Sequence, residues 1–288
     1  MKKVRKAVIP VAGFGTRFLP FTKAVPKAML PVVNRPAIEV IIDEAFDSGI
    51  EEIALIVGQN KEILEKHFSE NSSLNVVLSA NGKKEYYKAV NKYENRKIVL
   101  IEQKEQKGTA NAIAVASDFV AGEPFAVMFG DDLMYGEQPV IGQLIDVFNA
   151  KGKTIIGCKR VELSQVSKYA CVEYDESEGN VYKITKITEK PLPEEIKSNL
   201  SPLGRYVCPP EILDVIANLK TGRNGEYQFT DALDIISRTQ GGYALEFNGI
   251  RYDMGDRLGF LKANVEFALR NDELKEEFAE YLKEFNEK

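Results

Sequence analysis

The stretch VAGFGTRFLPFTKAVPKAMLPVVNRP, residues 11–36, follows an apolar run and gathers two glycines, Arg17 and two lysines with four prolines, Pro20, Pro26, Pro31 and Pro36. Each proline removes a backbone donor and restricts the residue before it, so the stretch reads as a long, shaped loop and not as a helix. A strand that ends in a glycine-rich turn is a phosphate-binding arrangement, because backbone N–H groups can approach an anion there. The dinucleotide pattern G-x-G-x-x-G fails, since Phe18 holds the third glycine position, and G-x-x-x-x-G-K-[ST] is absent. What remains is Gly13, Gly15, Thr16 and Arg17, with Lys27 ten residues further on. Arginine offers a forked donor set and lysine a mobile point charge, which suits a triphosphate lying along the loop. The same residues fit equally a solvent-exposed basic loop.

Outward from the loop, strand and helix signals alternate. KAVIPVA (residues 6–12), IALIV (53–57) and FAVMF (125–129) are apolar runs of strand length. Between the first two, Ile38, Ile41, Ile42, Ala45 and Phe46 recur at helical spacing, and Gly49 can end that helix. A second helix is expected after Asn60 and a third over residues 110–120. This βαβαβ order predicts an α/β fold, a Rossmann-like, twisted, mainly parallel mixed sheet with helices on both faces, whose ligands bind beyond the carboxyl ends of the strands. After residue 150 the pattern turns strand-rich, at 154–158, 170–174 and 181–188, with a turn at 177–180. Helices return at 210–219, 230–238 and 257–269. Residues 272–288 are charged and helical in composition, and Leu274, Phe278, Leu282 and Phe285 form an apolar stripe able to cover the domain or a partner subunit. We read one domain, with residues 1–150, 151–256 and 257–288 as its successive parts.

With 288 residues, 44% hydrophobic and 28% charged, the chain can bury a large core and reads as an ordinary soluble protein. A net charge of −5 gives no general attraction to nucleic acid or to an anionic membrane. Three scattered cysteines, Cys158, Cys171 and Cys208, match neither a disulfide framework nor a metal spacing. No apolar run reaches the roughly 18 residues of a membrane span, and the N-terminus lacks a secretory cleavage pattern, so the expected location is the cytoplasm.

The stretch from Gly13 to Ala45 resembles the opening of the bacterial UTP–glucose-1-phosphate uridylyltransferases, within the wider sugar-1-phosphate nucleotidyltransferases. The resemblance continues, in the family's order, through QKEQKGTANA (103–112), FGDDLM (129–134), TEKP (188–191), SNLSPLGRYV (198–207), GEYQFTDAL (225–233) and RYDMGDRLGF (251–260). It implies an Mg2+-dependent attack of glucose 1-phosphate on the α-phosphate of UTP, giving UDP-glucose and pyrophosphate, in a homo-oligomer (dimer or tetramer) that binds neither nucleic acid nor membrane. The sugar phosphate is already ionised near neutrality, so no general base is needed and the only histidine, His67, reads as structural or surface.

By resemblance, Asp131 and Asp253 hold the metal, with Asp132 beside the nucleotide. Arg17 and Lys27 act on the phosphates, together with Gly15 and Thr16 of the loop. Glu189 meets sugar hydroxyls and Lys190 the sugar phosphate, while Asn199, Gly204 and Ala170, with Glu226 and Asp231, complete the sugar pocket in the strand-rich part. Ala12, Gly13, Gln103 and Gly108 surround the base. The sequence departs from the family at Ala28, where K-E-M-L-P is expected, at GTANA, where G-L-G-H-A is expected, and at Ala170, where a glycine is expected. These departures leave the phosphate and metal groups untouched and bear on specificity. Sister enzymes using dTTP, GTP or another nucleoside triphosphate or sugar phosphate, and a non-catalytic nucleotide-sugar sensor, are the competing readings.

Overall fold

Alternate residues of the strand KAVIP face opposite cores. Ala7 and Ile9 pack with Ile38, Ile41 and Ile42 on one side, and Val8 packs with Ile113, Phe125 and Ile236 on the other. A strand buried on both faces needs helices on both faces, and the computed structural model, which describes residues 2–58, 61–222 and 225–287, has that arrangement.

In chain order the strands are β1 (Lys6–Pro10), β2 (Pro31–Val32), β3 (Arg35–Pro36), β4 (Glu52–Val57), β5 (Lys97–Glu102), β6 (Phe125–Met128), β7 (Asp132–Tyr135), β8 (Thr154–Arg160), β9 (Ala170–Glu178), β10 (Val181–Glu189), β11 (Leu200–Cys208), β12 (Gly242–Glu246) and β13 (Ile250–Asp253). Nine of these form one sheet in the order β5-β4-β1-β6-β11-β8-β12-β10-β9. The neighbours β5, β4, β1 and β6 are mutually parallel, as are β8 and β12, while β11 and β10 run against their neighbours. Seven of the nine strands therefore point the same way. Two small pairs, β7 with β13 and β2 with β3, stand outside the main sheet.

Several expectations shift in detail. The first strand ends at Pro10, because the chain then turns into the loop, held by the Val11 N–H donating to the Ile56 carbonyl at 2.8 Å. The helix expected over 110–120 is two, Thr109–Ala114 and Ser117–Val120. Asn60 lies outside the described residues, and the next helix spans Glu62–Phe68. No helix among the described residues is long and apolar enough to cross a membrane.

The largest departure is β11, whose nine residues are all buried in the middle of the sheet. Its sequence LSPLGRYVC carries Pro202 and Gly204, which argue against a central strand. The register slips between Pro202 and Tyr206, and the bulge places Gly204 at a left-handed φ of 68°. Next to it Arg205, wholly buried, meets Glu44 of the helix Ala37–Asp47, with Nη2 2.6 Å from Oε2 and Nε 3.0 Å from Oε1. Its remaining donors serve the Asp132 carbonyl at 2.7 Å and the Gly204 carbonyl at 3.0 Å, and Glu44 also accepts the Ile141 N–H at 3.0 Å.

Removing one partner of such a pair leaves a buried charge uncompensated. Glu44→Ala and Arg205→Ala should each lower the unfolding free energy by about 3–5 kcal/mol in denaturant titrations. Losses within about 0.5 kcal/mol, the size of an ordinary surface change, would show the pair to be dispensable.

Candidate active site

The loop that follows β1 folds onto itself as three short 3-10 turns, Thr16–Phe18, Phe21–Lys23 and Lys27–Met29. Gly15 has φ 62°, and a Cβ there would sit 3.0 Å from both Lys27 Cβ and Thr22 Cγ2, so only glycine lets the loop close on Lys27. The Thr22 hydroxyl donates to the Gly15 carbonyl at 2.8 Å and locks that closure. Thr16 is exposed at the start of the first turn.

The closed loop forms one wall of a cavity of about 570 Å³ beyond the carboxyl ends of β1 and β6, where the alternation of strands and helices places it. Lys27 reaches across to Asp131, with Nζ 2.5 Å from Oδ2. Asp131 follows β6, and Asp253 ends β13, whose pairing with β7 sets Asp253 opposite Asp132. The Met254 N–H donates to the Asp131 carbonyl at 2.8 Å, which extends that pairing to the second carboxylate. A Cβ built on Gly255 would lie 2.9 Å from Asp253 Oδ1, 3.2 Å from Asp131 Oδ2 and 3.5 Å from Lys27 Nζ. Two carboxylates and an ammonium thus converge on one point. Among the described residues no group of three or more His, Cys, Asp or Glu gathers as a metal site. A pair of hard oxygen donors is nonetheless the set that Mg2+ takes when phosphate oxygens and water supply the rest.

Arg251 organises these acids. It bridges Asp132, with Nη2 2.5 Å from Oδ1, and Asp253, with Nη2 3.1 Å from Oδ2, and it donates to the Tyr169 hydroxyl at 3.2 Å. Burial pushes the Asp132 carboxyl up to about 6 against the pull of Arg251, and the charges of Asp131 and Asp253 push it the same way. Desolvation would also raise Asp131, yet Lys27, with Arg251 behind it, holds that carboxyl below the ordinary range. Asp132 lines the cavity but is 4% exposed and lies close under β11: a Cβ on Gly204 would come within 2.1 Å of its Oδ2. Arg17 donates from Nη1 to the Gly255 carbonyl at 3.0 Å, which anchors it to the Asp253 turn.

On the opposite wall stand Glu189, Lys190 and Ala170. Glu189 pairs with Ala170 across β9 and β10, and its Oε2 accepts the Thr230 hydroxyl at 2.8 Å. Lys190 takes a φ of 41°, rare for a residue with a side chain, and its N–H donates to the Tyr169 carbonyl at 2.7 Å. Its ammonium lies 3.4 Å from Glu189. Glu226 also lines the cavity, where a Cβ on Gly108 would lie 3.1 Å from its own Cβ, and it accepts from Gln228 at 2.9 Å. Asn199 is outside the cavity lining, its Oδ1 accepting from Arg160 at 3.0 Å on an exposed surface. Asp231 is also outside it, in the first turn of the helix Phe229–Gln240, where burial and then Glu189 and Asp234 raise its carboxyl.

At the remaining end, Ala12, Gly13, Gln103 and Gly108 line the cavity. Gly108 has φ 111°, and a Cβ there would stand 2.5 Å from the Tyr227 carbonyl, so its glycine answers to a neighbouring chain segment. Ala28 is buried, at the junction of cavity and core. His67 lies elsewhere, 2.8 Å from Glu39, and the three cysteines are buried and free.

Sequence reasoning overlooked Arg251, Tyr169 and Gln106. Arg251 carried a usable signal, because it lies two residues before Asp253 and alternate residues of a strand share a face. Tyr169 and Gln106 carried none, since their partners are distant in sequence.

Residues 6–269 match the model of the nucleotidyl transferase family. The chain is 41% identical over 285 residues to UTP–glucose-1-phosphate uridylyltransferase 2 of Staphylococcus saprophyticus, covering 98% of each chain. It is 40% identical over 287 residues to a UTP–glucose-1-phosphate uridylyltransferase of Staphylococcus epidermidis, covering 99% of this chain and 100% of that one. Among solved structures, UTP-bound UGPase from Acinetobacter baumannii superposes with a TM-score of 0.90 at 34% identity, over 98% of this chain and 99% of that one. A UDP-glucose pyrophosphorylase complexed with UDP-glucose gives 0.84 at 33% identity, over 93% and 100%. Agreement in sequence, fold and near-complete length means that this chain belongs to the nucleotidyl transferase family, with the UTP–glucose-1-phosphate uridylyltransferases as its relatives.

Proposed function

We infer that this chain transfers a uridylyl group from UTP to glucose 1-phosphate, forming UDP-glucose and releasing pyrophosphate. The observation that carries the reading is the convergence of Asp131, Asp253 and Lys27 on one point between the glycine loop and the Glu189–Lys190 wall. A phosphate oxygen of the sugar attacks the α-phosphorus, a new P–O bond forms in line with the one that breaks, and pyrophosphate leaves with its electron pair. Charge neutralisation and alignment are what this reaction asks of a protein.

Lys27 draws charge from the α-phosphate, and Arg17 meets the β- and γ-phosphates. Gly13, Gly15 and Thr16 shape the backbone beside them. Lys190 holds the sugar phosphate and Glu189 the sugar hydroxyls, with Ala170, Gly204 and Glu226 bounding the sugar. Gln103, Ala12 and Gly13 surround the base. Asp131 and Asp253 would hold Mg2+, which when bound neutralises phosphate oxygens. We place the enzyme in the cytoplasm, as a homo-oligomer. Support for self-association comes from the helix Lys275–Asn286, which has no buried residue and leaves Tyr281 and Phe285 exposed.

Chelation should abolish turnover, and Asp131→Asn and Asp253→Asn should each lower it by at least about 100-fold, judged by the loss of a single electrostatic stabiliser. Turnover within a few-fold of wild type in both variants would remove the metal assignment.

Losing a charge-assisted contact of about 1.5–3 kcal/mol, Lys190→Ala should weaken use of glucose 1-phosphate by roughly 10- to 100-fold while leaving the KM for UTP nearly unchanged. Steady-state titration of each substrate separates the two, and an unaltered response to glucose 1-phosphate would contradict the role.

A further inference from the structure

The helix Phe229–Gln240 packs along β10 and is fastened to it at two places. The Asp234 carboxylate accepts the Ile187 N–H at 2.7 Å, and the Thr230 hydroxyl donates to Glu189 Oε2 at 2.8 Å. Thr230 and Asp234 are four residues apart on the helix, a rise of about 6 Å, and Ile187 and Glu189 are two apart on the strand, a rise of about 6.6 Å. The two contacts are therefore in step, and docking at Asp234 brings Thr230 to Glu189. The start of the helix is fixed as well, since Phe229 is buried and its N–H donates to Thr109 Oγ1 at 2.9 Å.

Thr230, Glu189 and Lys190 all line the cavity, on the side that the uridylyl reading assigns to the sugar phosphate. Among the described residues, the Glu189 side chain has two polar partners: the Thr230 hydroxyl at Oε2, and the Lys190 ammonium 3.4 Å from Oε1. The sense of the first contact is settled by chemistry. An ionised carboxylate only accepts, so the hydroxyl is the donor, and a half turn of the carboxylate merely exchanges two equivalent oxygens. The second contact is longer than the roughly 2.7–2.9 Å of a charge-assisted hydrogen bond, so acid and ammonium stand beside each other without closing. With the Thr230 hydroxyl gone, Lys190 is the partner left to Glu189. The two would then neutralise each other instead of meeting the sugar hydroxyls and the sugar phosphate.

We propose that Thr230 is a positioning residue: its hydroxyl holds the Glu189 carboxylate off Lys190, which keeps Glu189 available to sugar hydroxyls and Lys190 to the sugar phosphate. The proposal rests on the reading of Glu189 and Lys190 given above and deepens it. Thr230 acts through Glu189, so its effect falls on glucose 1-phosphate and not on UTP.

The test measures the KM for glucose 1-phosphate and for UTP in wild type, Thr230→Val, Thr230→Ser, Glu189→Ala and the double variant Thr230→Val/Glu189→Ala. Valine keeps the shape and removes the hydroxyl, whereas serine keeps the hydroxyl. Thr230→Val should raise the KM for glucose 1-phosphate by roughly 10-fold, the size of one lost bond to a charged group, and Thr230→Ser should stay within about 3-fold of wild type. The KM for UTP and the thermal midpoint should stay near wild type in both. Once Glu189 is alanine, Thr230→Val should cost nothing further. An unchanged KM for glucose 1-phosphate in Thr230→Val, an equal loss in Thr230→Ser, or an undiminished loss in the Glu189→Ala background would overturn the positioning role while leaving the uridylyl reading intact. Wild-type use of glucose 1-phosphate by Glu189→Ala would instead overturn the assignment of Glu189 to the sugar, and the proposal with it.

Discussion

The fully buried ion pair between Arg205 and Glu44 is the constraint on which the site depends. Two buried charges are expensive to desolvate, and the pair is tolerable only because nearly every donor and acceptor on it is engaged. Glu44 belongs to the helix that follows the glycine loop, and Arg205 to the central strand β11. Through the carbonyls of Asp132 and Gly204, Arg205 also holds the turn that presents Asp131. The nucleotide loop, the acidic turn and the middle of the sheet are thereby referred to one rigid group. A binding site assembled from segments 161 positions apart needs such a common reference, because catalysis by alignment fails when its parts drift by an ångström.

From that reference the acids are layered outward. Asp132 and Arg251 form a largely buried layer beneath, and Asp131 and Asp253 stand above it, Asp131 paired with Lys27 and Asp253 with the same Arg251. The bulge in β11 makes room for the layer, since at Gly204 any side chain would collide with Asp132. Gly255 does the same on the other side, leaving the point between the two cavity-facing carboxylates open. The strain at Lys190, held at positive φ by its hydrogen bond to Tyr169, belongs to the same economy of form. A conformation that a lysine rarely adopts is kept where it aims a cation into the cavity.

Much of this was legible in the sequence, for physical reasons that differ by segment. β1, β4 and β6 are buried on both faces, so they appear as continuous apolar runs, and four prolines announce the loop between them. β11 was illegible as a strand, because Pro202 and Gly204 are loop residues by local propensity and only the bulge and the burial of Arg205 explain them. β5 and β12 were missed as well: β5 is at the edge and half-buried, and β12 opens on the pair Gly241–Gly242, which reads locally as a turn. Motif residues near strand ends, Lys27, Asp131, Asp253, Glu189 and Lys190, do come together. Asn199 does not reach the cavity, because β11 starts beside it and its amide points to Arg160. The Glu44–Arg205 pair, and Arg251 as a bridge, depend on tertiary partners that no local spacing reveals.

The central claim is that the Asp131–Asp253–Lys27 point is where a nucleotide is passed to a sugar phosphate. It is tested most directly by following UTP and glucose 1-phosphate with the purified protein by phosphorus NMR, with and without Mg2+. The account predicts that pyrophosphate and UDP-glucose appear in equal amounts, only when both substrates and the metal are present. Release of pyrophosphate from UTP without glucose 1-phosphate, or no product with both substrates and Mg2+, would contradict it.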